Sequence, residues 1–159
     1  MTTDTTPHQQ LRALGLELPD LPAPAYAYVP TTRVDDLLYV SGQISRTADG
    51  RTLTGRLGET SSVEEGVEAA RICALNLLAR IDASVGLDAV QQVLKLNGYV
   101  SSAGDFYQQP TVIDGASQLL VDVLGQAGTH ARTALAAPVL PANALVEIEA
   151  VVAVRPADR

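Results

Sequence analysis

The spacing of apolar residues along the chain predicts two amphipathic helices. The longer one spans residues 61–86, where apolar side chains recur every three or four positions. Ser62 and Glu65 have the spacing of a capping box at its start, and Gly86 can end it. The second helix spans Pro110 to Leu124, because proline is tolerated in a first turn and glycines follow its end. Each helix has one apolar face, so both are expected to pack on a common core.

Runs of β-branched and aromatic residues predict the strands. Residues 25–44 contain two such runs separated by a polar stretch, which indicates an antiparallel hairpin, and another run extends from Val90 to Val100. Two final strands are predicted from Arg132 to Ala137 and from Leu145 to Val154. The order ββ(β)αβαββ predicts an α+β fold, with one mixed sheet and two helices on one face.

The compact domain is expected over residues 25–159, after an N-terminal arm formed by residues 1–24. A short helical stretch around Gln9 to Leu14 begins the arm, and the prolines of LPDLPAPA favour an extended backbone after it. The first residues lack the apolar core of a secretory signal, and no segment reaches the roughly 18 apolar residues of a membrane span. We therefore expect a cytoplasmic protein with no membrane partner.

Both faces of the last predicted strand are largely apolar. Alternation places one set of residues under the helices, namely Val146, Ile148, Ala150, Val152 and Val154. The opposite face carries Leu145, Glu147, Glu149, Val151 and Ala153. A solvated sheet face is normally more polar than this, so a second copy of the chain is expected to cover it.

Arg132 is the first candidate for a binding residue. It shares a face of its strand with Ala134 and Ala136, whose small side chains leave space around the guanidinium. If this strand pairs with the last one, Arg132 and the carboxylates of Glu147 and Glu149 lie in one partly enclosed pocket. An enclosed guanidinium requires an anion, which either a protein carboxylate or a ligand can supply.

Charge and residue counts narrow the chemistry. The net charge of −7 and the lack of a Lys and Arg cluster oppose binding to nucleic acid. The single cysteine, Cys73, excludes an internal disulfide and a cysteine zinc site, and its place on the first long helix is typical of a small buried residue. A lone histidine such as His130 is usually structural or solvated. No metal-binding spacing or phosphate loop is present, so no metal is expected.

Two segments resemble the RidA-like (YjgF-type) imine deaminase family. The segment HARTALAAPVLPANALVEIEAVVAV is similar to the family's Ala-Arg-Ser/Thr strand, Leu-Pro turn and Glu-Ile-Glu-Ala strand, and YVPTTRVDDLLYVSGQI is similar to its hairpin ending in Ser-Gly-Gln. The resemblance extends over residues 25–154, and the extended N-terminus is similar to that of a longer subgroup. It implies a chorismate-mutase-like protomer and a homotrimer whose sheets face inward, with three clefts between adjacent subunits.

The resemblance also implies roles for individual residues. It places Arg132 at the carboxylate-binding position and Glu147 near the reactive carbon. Further substrate-binding positions match Tyr28, Ser41 and Gly42, with a looser match at Asn97, and Ala134 stands where many relatives have a cysteine.

The implied reaction is hydrolysis of an enamine or a small 2-imino acid to the 2-keto acid and ammonia, without metal or organic cofactor. Two alternatives remain open at this point. One is a non-catalytic trimer that binds small carboxylates or regulates through them, and the other is a specialised biosynthetic enzyme on the same scaffold. Ribonuclease activity has also been linked to the family, but the acidic charge disfavours it.

Overall fold

The computed structural model describes residues 5–156. Residues 1–4 of the predicted arm and 157–159 of the predicted domain lie outside that range. The described elements are α1 (Pro7–Ala13), β1 (Thr31–Val34), β2 (Leu37–Ile44), α2 (Val63–Val85), β3 (Val90–Ser101), α3 (Gln109–Leu124), β4 (Ala131–Ala137) and β5 (Val146–Val154).

The strands form one mixed five-stranded sheet in the order β1-β2-β5-β3-β4, which confirms the predicted fold class. β1, β2, β5 and β3 pair antiparallel, whereas β4 pairs with β3 in parallel. The pairing of β4 with β5, on which the single-chain pocket depended, therefore does not occur. β3, α3 and β4 form a crossover unit, and such a unit places its second strand parallel to its first. β4 is the last strand in the sheet order, so it is an edge strand.

The helices α2 and α3 cover one face of the sheet, as predicted. Side chains of β5 alternate, and those expected under the helices are buried. The capping box is present, since Ser62 N–H donates to Glu65 Oε2 at 2.7 Å and Glu65 N–H donates to Ser62 Oγ at 3.2 Å. Gly115 allows α3 to approach α2, because a Cβ there would clash with the carbonyl oxygen of Val67.

Leu145 departs from the predicted alternation. It was expected on the open face but is 2% exposed and belongs to the core. β5 begins at Val146, so Leu145 precedes the strand and its side chain does not follow the strand's alternation.

α1 packs on the domain core although it was predicted to belong to an arm. Leu11 is 3% exposed within the core, and Leu16 and Leu18 pack against the same cluster. The boundary near residue 25 stays a prediction. Within residues 5–156, no helix combines the length and the apolar character needed to cross a membrane.

The open face of the sheet presents several large apolar side chains to solvent. The exposed residues on β2 and β4 are Leu37, Tyr39 and Leu135, and half-buried Val151 lies between them on β5. This face is therefore as apolar as the pattern of β5 predicted.

Candidate functional site

One cavity, the Glu147 cavity, has a volume of about 810 Å³. It lies between the extended segment 21–30 and strands β2 and β5. Four of the predicted site residues line it together, namely Tyr28, Ser41, Gly42 and Glu147. The residues of the predicted site that come from the N-terminal hairpin and from the last strand therefore lie together within a single chain.

Gly42 explains how the Glu147 carboxylate reaches this cavity. The register between β2 and β5 shifts between Val40 and Gln43, which marks an irregularity in the ladder. Glu147 lies directly over Gly42, because a Cβ on Gly42 would clash with Glu147 Oε1. Ser41 fixes the adjoining segment, since its hydroxyl donates to the Val29 carbonyl at 2.8 Å. The Ser-Gly pair therefore shapes both the floor and the wall of the cavity.

Glu147 and Glu149 line the same cavity, but their surroundings differ. Glu149 accepts hydrogen bonds from Asn97 Nδ2 at 3.1 Å and from Tyr99 Oη at 3.0 Å. Within residues 5–156, no group donates a hydrogen bond to the Glu147 carboxylate. Burial, with a further contribution from the charge of Glu149, raises the pKa of Glu147 above its ordinary value. Glu147 is therefore the carboxyl group that remains free to exchange a proton with a ligand or water.

Asn97 lies on the open face of β3 and is bonded to Glu149. It lines neither of the two cavities described for this chain. Its predicted contact with substrate thus finds no counterpart inside one chain, and its visible role is to hold Glu149.

Two cations in the Glu147 cavity were not anticipated from the sequence. Arg80 of α2 donates to the Pro22 carbonyl at 2.8 Å and to Gln43 Oε1 at 3.4 Å, so it fastens the N-terminal segment over the cavity. Arg46 also lines the cavity but is exposed. Helical periodicity placed Arg80 on a helix, yet it carries no information about which loop crosses that helix.

Arg132 does not lie in the Glu147 cavity, which corrects the expected single-chain pocket. It is the register partner of Leu96, whose side chain is buried under the helices, whereas Glu149 is the partner of Asn97 on the open face. Arg132 therefore points to the α3 side of the sheet. There Nη1 lies 2.6 Å from Asp114 Oδ1.

A chain of hydrogen bonds fixes the Arg132 guanidinium on α3. His130 Nδ1 lies 2.6 Å from the Gly128 carbonyl and donates to it, and Nε2 lies 2.9 Å from the Ser117 hydroxyl oxygen. Ser117 Oγ in turn accepts from Arg132 Nη1 at 3.1 Å. His130 thus has a positioning role, which agrees with its structural interpretation.

Part of the Arg132 guanidinium remains free for a ligand. Nη2 makes one long contact of 3.4 Å to the Pro110 carbonyl, and Nε has no acceptor within residues 5–156. The side chain is 23% exposed. A carboxylate can therefore bind the Nε and Nη2 edge while Asp114 keeps Nη1.

The smaller cavity, the β4 cavity, has a volume of about 390 Å³ and lies between β4 and the loop that precedes α3. Ala134, which follows Arg132 by two residues, lines it. Arg56 lines it as well and was not anticipated from the sequence. Among the described residues, no group of three or more His, Cys, Asp or Glu side chains is placed to hold a metal ion.

The predicted site residues are thus divided between two places in one chain. Glu147 on β5 and Arg132 on β4 are separated by β3, and their side chains leave opposite faces of the sheet.

Comparisons with known proteins give close relatives over nearly the whole chain. Residues 8–153 match the family described as "YjgF/chorismate_mutase-like, putative endoribonuclease". Protein TCP17 of Trypanosoma cruzi is 42% identical over 144 residues, which cover 89% of this chain and 90% of that protein. The crystal structure of Atu1372 from Agrobacterium tumefaciens has a TM-score of 0.86 at 40% identity, covering 94% of this chain and 92% of that one. A "putative endoribonuclease" from Shewanella oneidensis has a TM-score of 0.89 at 34% identity, covering 94% and 99%.

Proposed function

The chain belongs to the YjgF/chorismate-mutase-like family, and from that premise we propose that it hydrolyses small 2-imino acids to 2-keto acids and ammonia. The observation that carries the proposal is the Glu147 cavity, where Tyr28, Ser41 and Gly42 surround a carboxyl group of raised pKa. A carboxyl group with a pKa nearer the working pH is a better acid and base catalyst than an ordinary one.

In the proposed reaction, Arg132 binds the substrate carboxylate and places the imine carbon beside Glu147. Glu147 accepts a proton from a water molecule while the water oxygen bonds to the imine carbon, and the C=N double bond becomes a single bond. Glu147 then returns the proton to nitrogen, which gives a carbinolamine. The carbinolamine hydroxyl proton moves to nitrogen through Glu147 as the C=O double bond forms and the C–N bond breaks, so that ammonia leaves the 2-keto acid. Water supplies the oxygen and two hydrogens, so no metal, oxidant or cofactor is required.

The substrate site is proposed to lie between two copies of the chain, in a homotrimer. Arg132 of one copy would face the Glu147 cavity of its neighbour, because one chain holds the two groups on opposite faces of its sheet. The apolar open face supports such an assembly, since Leu37, Tyr39 and Leu135 are exposed in the single chain. A partner copy would cover these side chains.

The test is a coupled assay in which an amino acid oxidase generates 2-iminopropanoate and keto-acid release is followed. We expect the protein to accelerate release, and Arg132→Ala to lower kcat/KM by about 10²-fold because the imine carbon is no longer positioned. Arg71→Ala is the matched control, because Arg71 forms an ordinary ion pair with Glu68 at 3.6 Å and lines neither cavity. Unchanged activity in Arg132→Ala would overturn the proposal.

A non-catalytic carboxylate-binding trimer is the second candidate. The position of Arg132 favours it, because its free Nε and Nη2 edge can bind a carboxylate although Glu147 leaves the opposite face of the sheet in the same chain. This candidate predicts saturable binding of pyruvate that requires Arg132, with no acceleration of imine hydrolysis.

A further inference from the structure

Arg56 places a second guanidinium in the β4 cavity. We propose that this cavity receives the substrate's side chain and that Arg56 binds a carboxylate on it, so that the preferred substrates are dicarboxylic 2-imino acids. The inference rests on the proposed function in one respect, namely that Arg132 holds the first carboxylate.

The position of the cavity relative to Arg132 supports a continuous binding slot. Arg132 and Ala134 are two residues apart on β4, so their side chains share one face at a separation of roughly 6.6 Å along the strand. Ala134 and Ala136 both line the cavity, and their methyl groups leave its interior open. A ligand held at Arg132 can therefore extend along these alanines.

Two of the other polar side chains that line the cavity, Ser102 and Gln109, bond to each other and to the backbone. Ser102 Oγ donates to the Val100 carbonyl at 3.0 Å and accepts from Gln109 Nε2 at 3.2 Å. Gln109 Nε2 also donates to the Phe106 carbonyl at 2.7 Å. Arg56 is the one charged residue among the described residues that line this cavity. A charged end of a ligand therefore has the Arg56 guanidinium as its partner, and a guanidinium selects an anion.

Arg56 itself has an incompletely satisfied guanidinium. Its Nε is buried and lacks a hydrogen-bond acceptor among residues 5–156. The nearest carboxylate is Glu59, whose Oε1 lies 3.6 Å from Nε and whose side chain is 52% exposed. Nη1 and Nη2 likewise make no hydrogen bond to residues 5–156, and the side chain as a whole is 36% exposed. These two groups, and not the buried Nε, are the donors that a ligand carboxylate in the cavity would reach.

The backbone of Arg56 is held rigidly enough to orient the side chain. Arg56 N–H donates to Thr60 Oγ1 at 2.9 Å, and the Arg56 carbonyl accepts from the backbone N–H groups of Glu59, Thr60 and Ser61. The next residue, Leu57, donates to the Ser101 carbonyl at the end of β3 at 2.9 Å. The turn that carries Arg56 is thereby fastened to the sheet beside the cavity.

The experiment compares imines generated from alanine, leucine, aspartate, glutamate and 2-aminoadipate. We expect kcat/KM for the best dicarboxylic imine to exceed that of the leucine-derived imine by about tenfold or more. Arg56→Met should remove most of this preference by raising KM for the dicarboxylic imines. The kcat/KM for the alanine-derived imine, which has no second carboxylate, should change by less than about twofold.

Arg71→Met is the control, because Arg71 and Arg56 have the same side-chain exposure of 36% and the same 3.6 Å distance to a glutamate. Arg71→Met should change kcat/KM for neither class of imine. Thermal unfolding of both variants checks that each one is folded.

Binding distinguishes failure of this inference from failure of the proposed function. In one outcome, the protein accelerates hydrolysis of no imine and still binds 2-oxoglutarate more tightly than pyruvate. If Arg56→Met then abolishes this difference in affinity, the dicarboxylate site stands without the deaminase activity. If imines are accelerated but Arg56→Met affects monocarboxylic and dicarboxylic ones alike, the inference is overturned and the deaminase proposal stands. Equal binding of both keto acids by wild-type protein and Arg56→Met would also overturn it.

Discussion

The Glu147 cavity and the β4 cavity supply different groups to an anionic substrate. The first has a free carboxyl group of raised pKa on its floor and an N-terminal segment fastened above it by Arg80. The second is lined by Arg56 and by alanines of β4, and Arg132 precedes the lining residue Ala134 by two positions on that strand. Under the proposed function, the first region would supply the acid and base catalyst of imine hydrolysis, and the second would supply the groups that bind the anionic substrate.

Topology keeps these halves apart within one chain. β4 is the edge strand beyond β3, and Arg132 points to the helix side, while Glu147 lies on the open face of β5. Residue types that suit one reaction thus lie at two surfaces of a single protomer. This arrangement is understandable if the two surfaces meet in an assembly.

One substitution is expected to impair catalysis strongly and to leave the binding of 2-keto acids intact. Glu147→Gln should lower kcat by about 10² to 10⁴-fold, because it removes the proposed general base. The variant should still bind 2-keto acids with unchanged affinity, since the proposed anion-binding residues, Arg132 and Arg56, are unaltered. Calorimetric titration of wild type and variant checks this, and a parallel loss of binding would mean that the two regions are not chemically distinct.

The unfolding free energy of the same variant is expected to depend on pH differently from that of wild type. The pKa of Glu147 is raised in the folded protein, so ionising this group costs stability as pH rises through that raised pKa. Glu147→Gln should therefore match wild type in unfolding free energy at low pH and exceed it above the folded pKa. Wild-type activity should fall as the pH is lowered through the same pKa, because Glu147 must be ionised to accept a proton. Urea unfolding at several pH values provides the measurement.

A smaller effect is expected from Gly42→Ala. The added methyl would clash with Glu147 Oε1, which is the end of a side chain that can rotate away. We expect about a tenfold loss of kcat, with little loss of stability, because the carboxylate moves out of position. If kcat stays at the wild-type value, the placement of Glu147 over Gly42 does not matter for catalysis.

A substitution of Asp114, the ion-pair partner of Arg132, is expected to change the kinetics least. Asp114 both orients Arg132 and competes with a ligand for its charge, through an ion pair in which Asp114 is 70% exposed. Asp114→Asn should lower KM and kcat together, each by at most about fivefold, because exposed ion pairs are weak. Asp122→Asn is the control on the same helix, since Asp122 is bonded to Gln118 instead.

Local patterns predicted much of the fold. The capping box at Ser62, the stop at Gly86 and the alternation of β5 each depend on residues close in sequence, and the structure confirms them. Alternation also divided the residues around Arg132 into two faces correctly. It could not tell which face the helices cover, because that depends on the long-range pairing of β4 with β3.

The candidate site was predicted only in part for the same reason. Motif resemblance grouped Tyr28, Ser41, Gly42 and Glu147, and the Glu147 cavity contains all four. Arg56 and Arg80 belong to no motif. Arg80 donates to the Pro22 carbonyl, 58 residues away in sequence, and Arg56 lines a cavity formed mainly by residues 102–109 and 134–138. Their sequence surroundings contain no signal of a cavity.

Arg132 and Glu147 are proposed to act together across two copies of the chain. The most direct test combines two inactive variants, Arg132→Ala and Glu147→Gln, by co-expression with different affinity tags and isolation of mixed assemblies. Any mixed trimer contains one cleft in which both groups are intact, so about one third of the wild-type activity should return. Mixed assemblies as inactive as their parents would contradict the account.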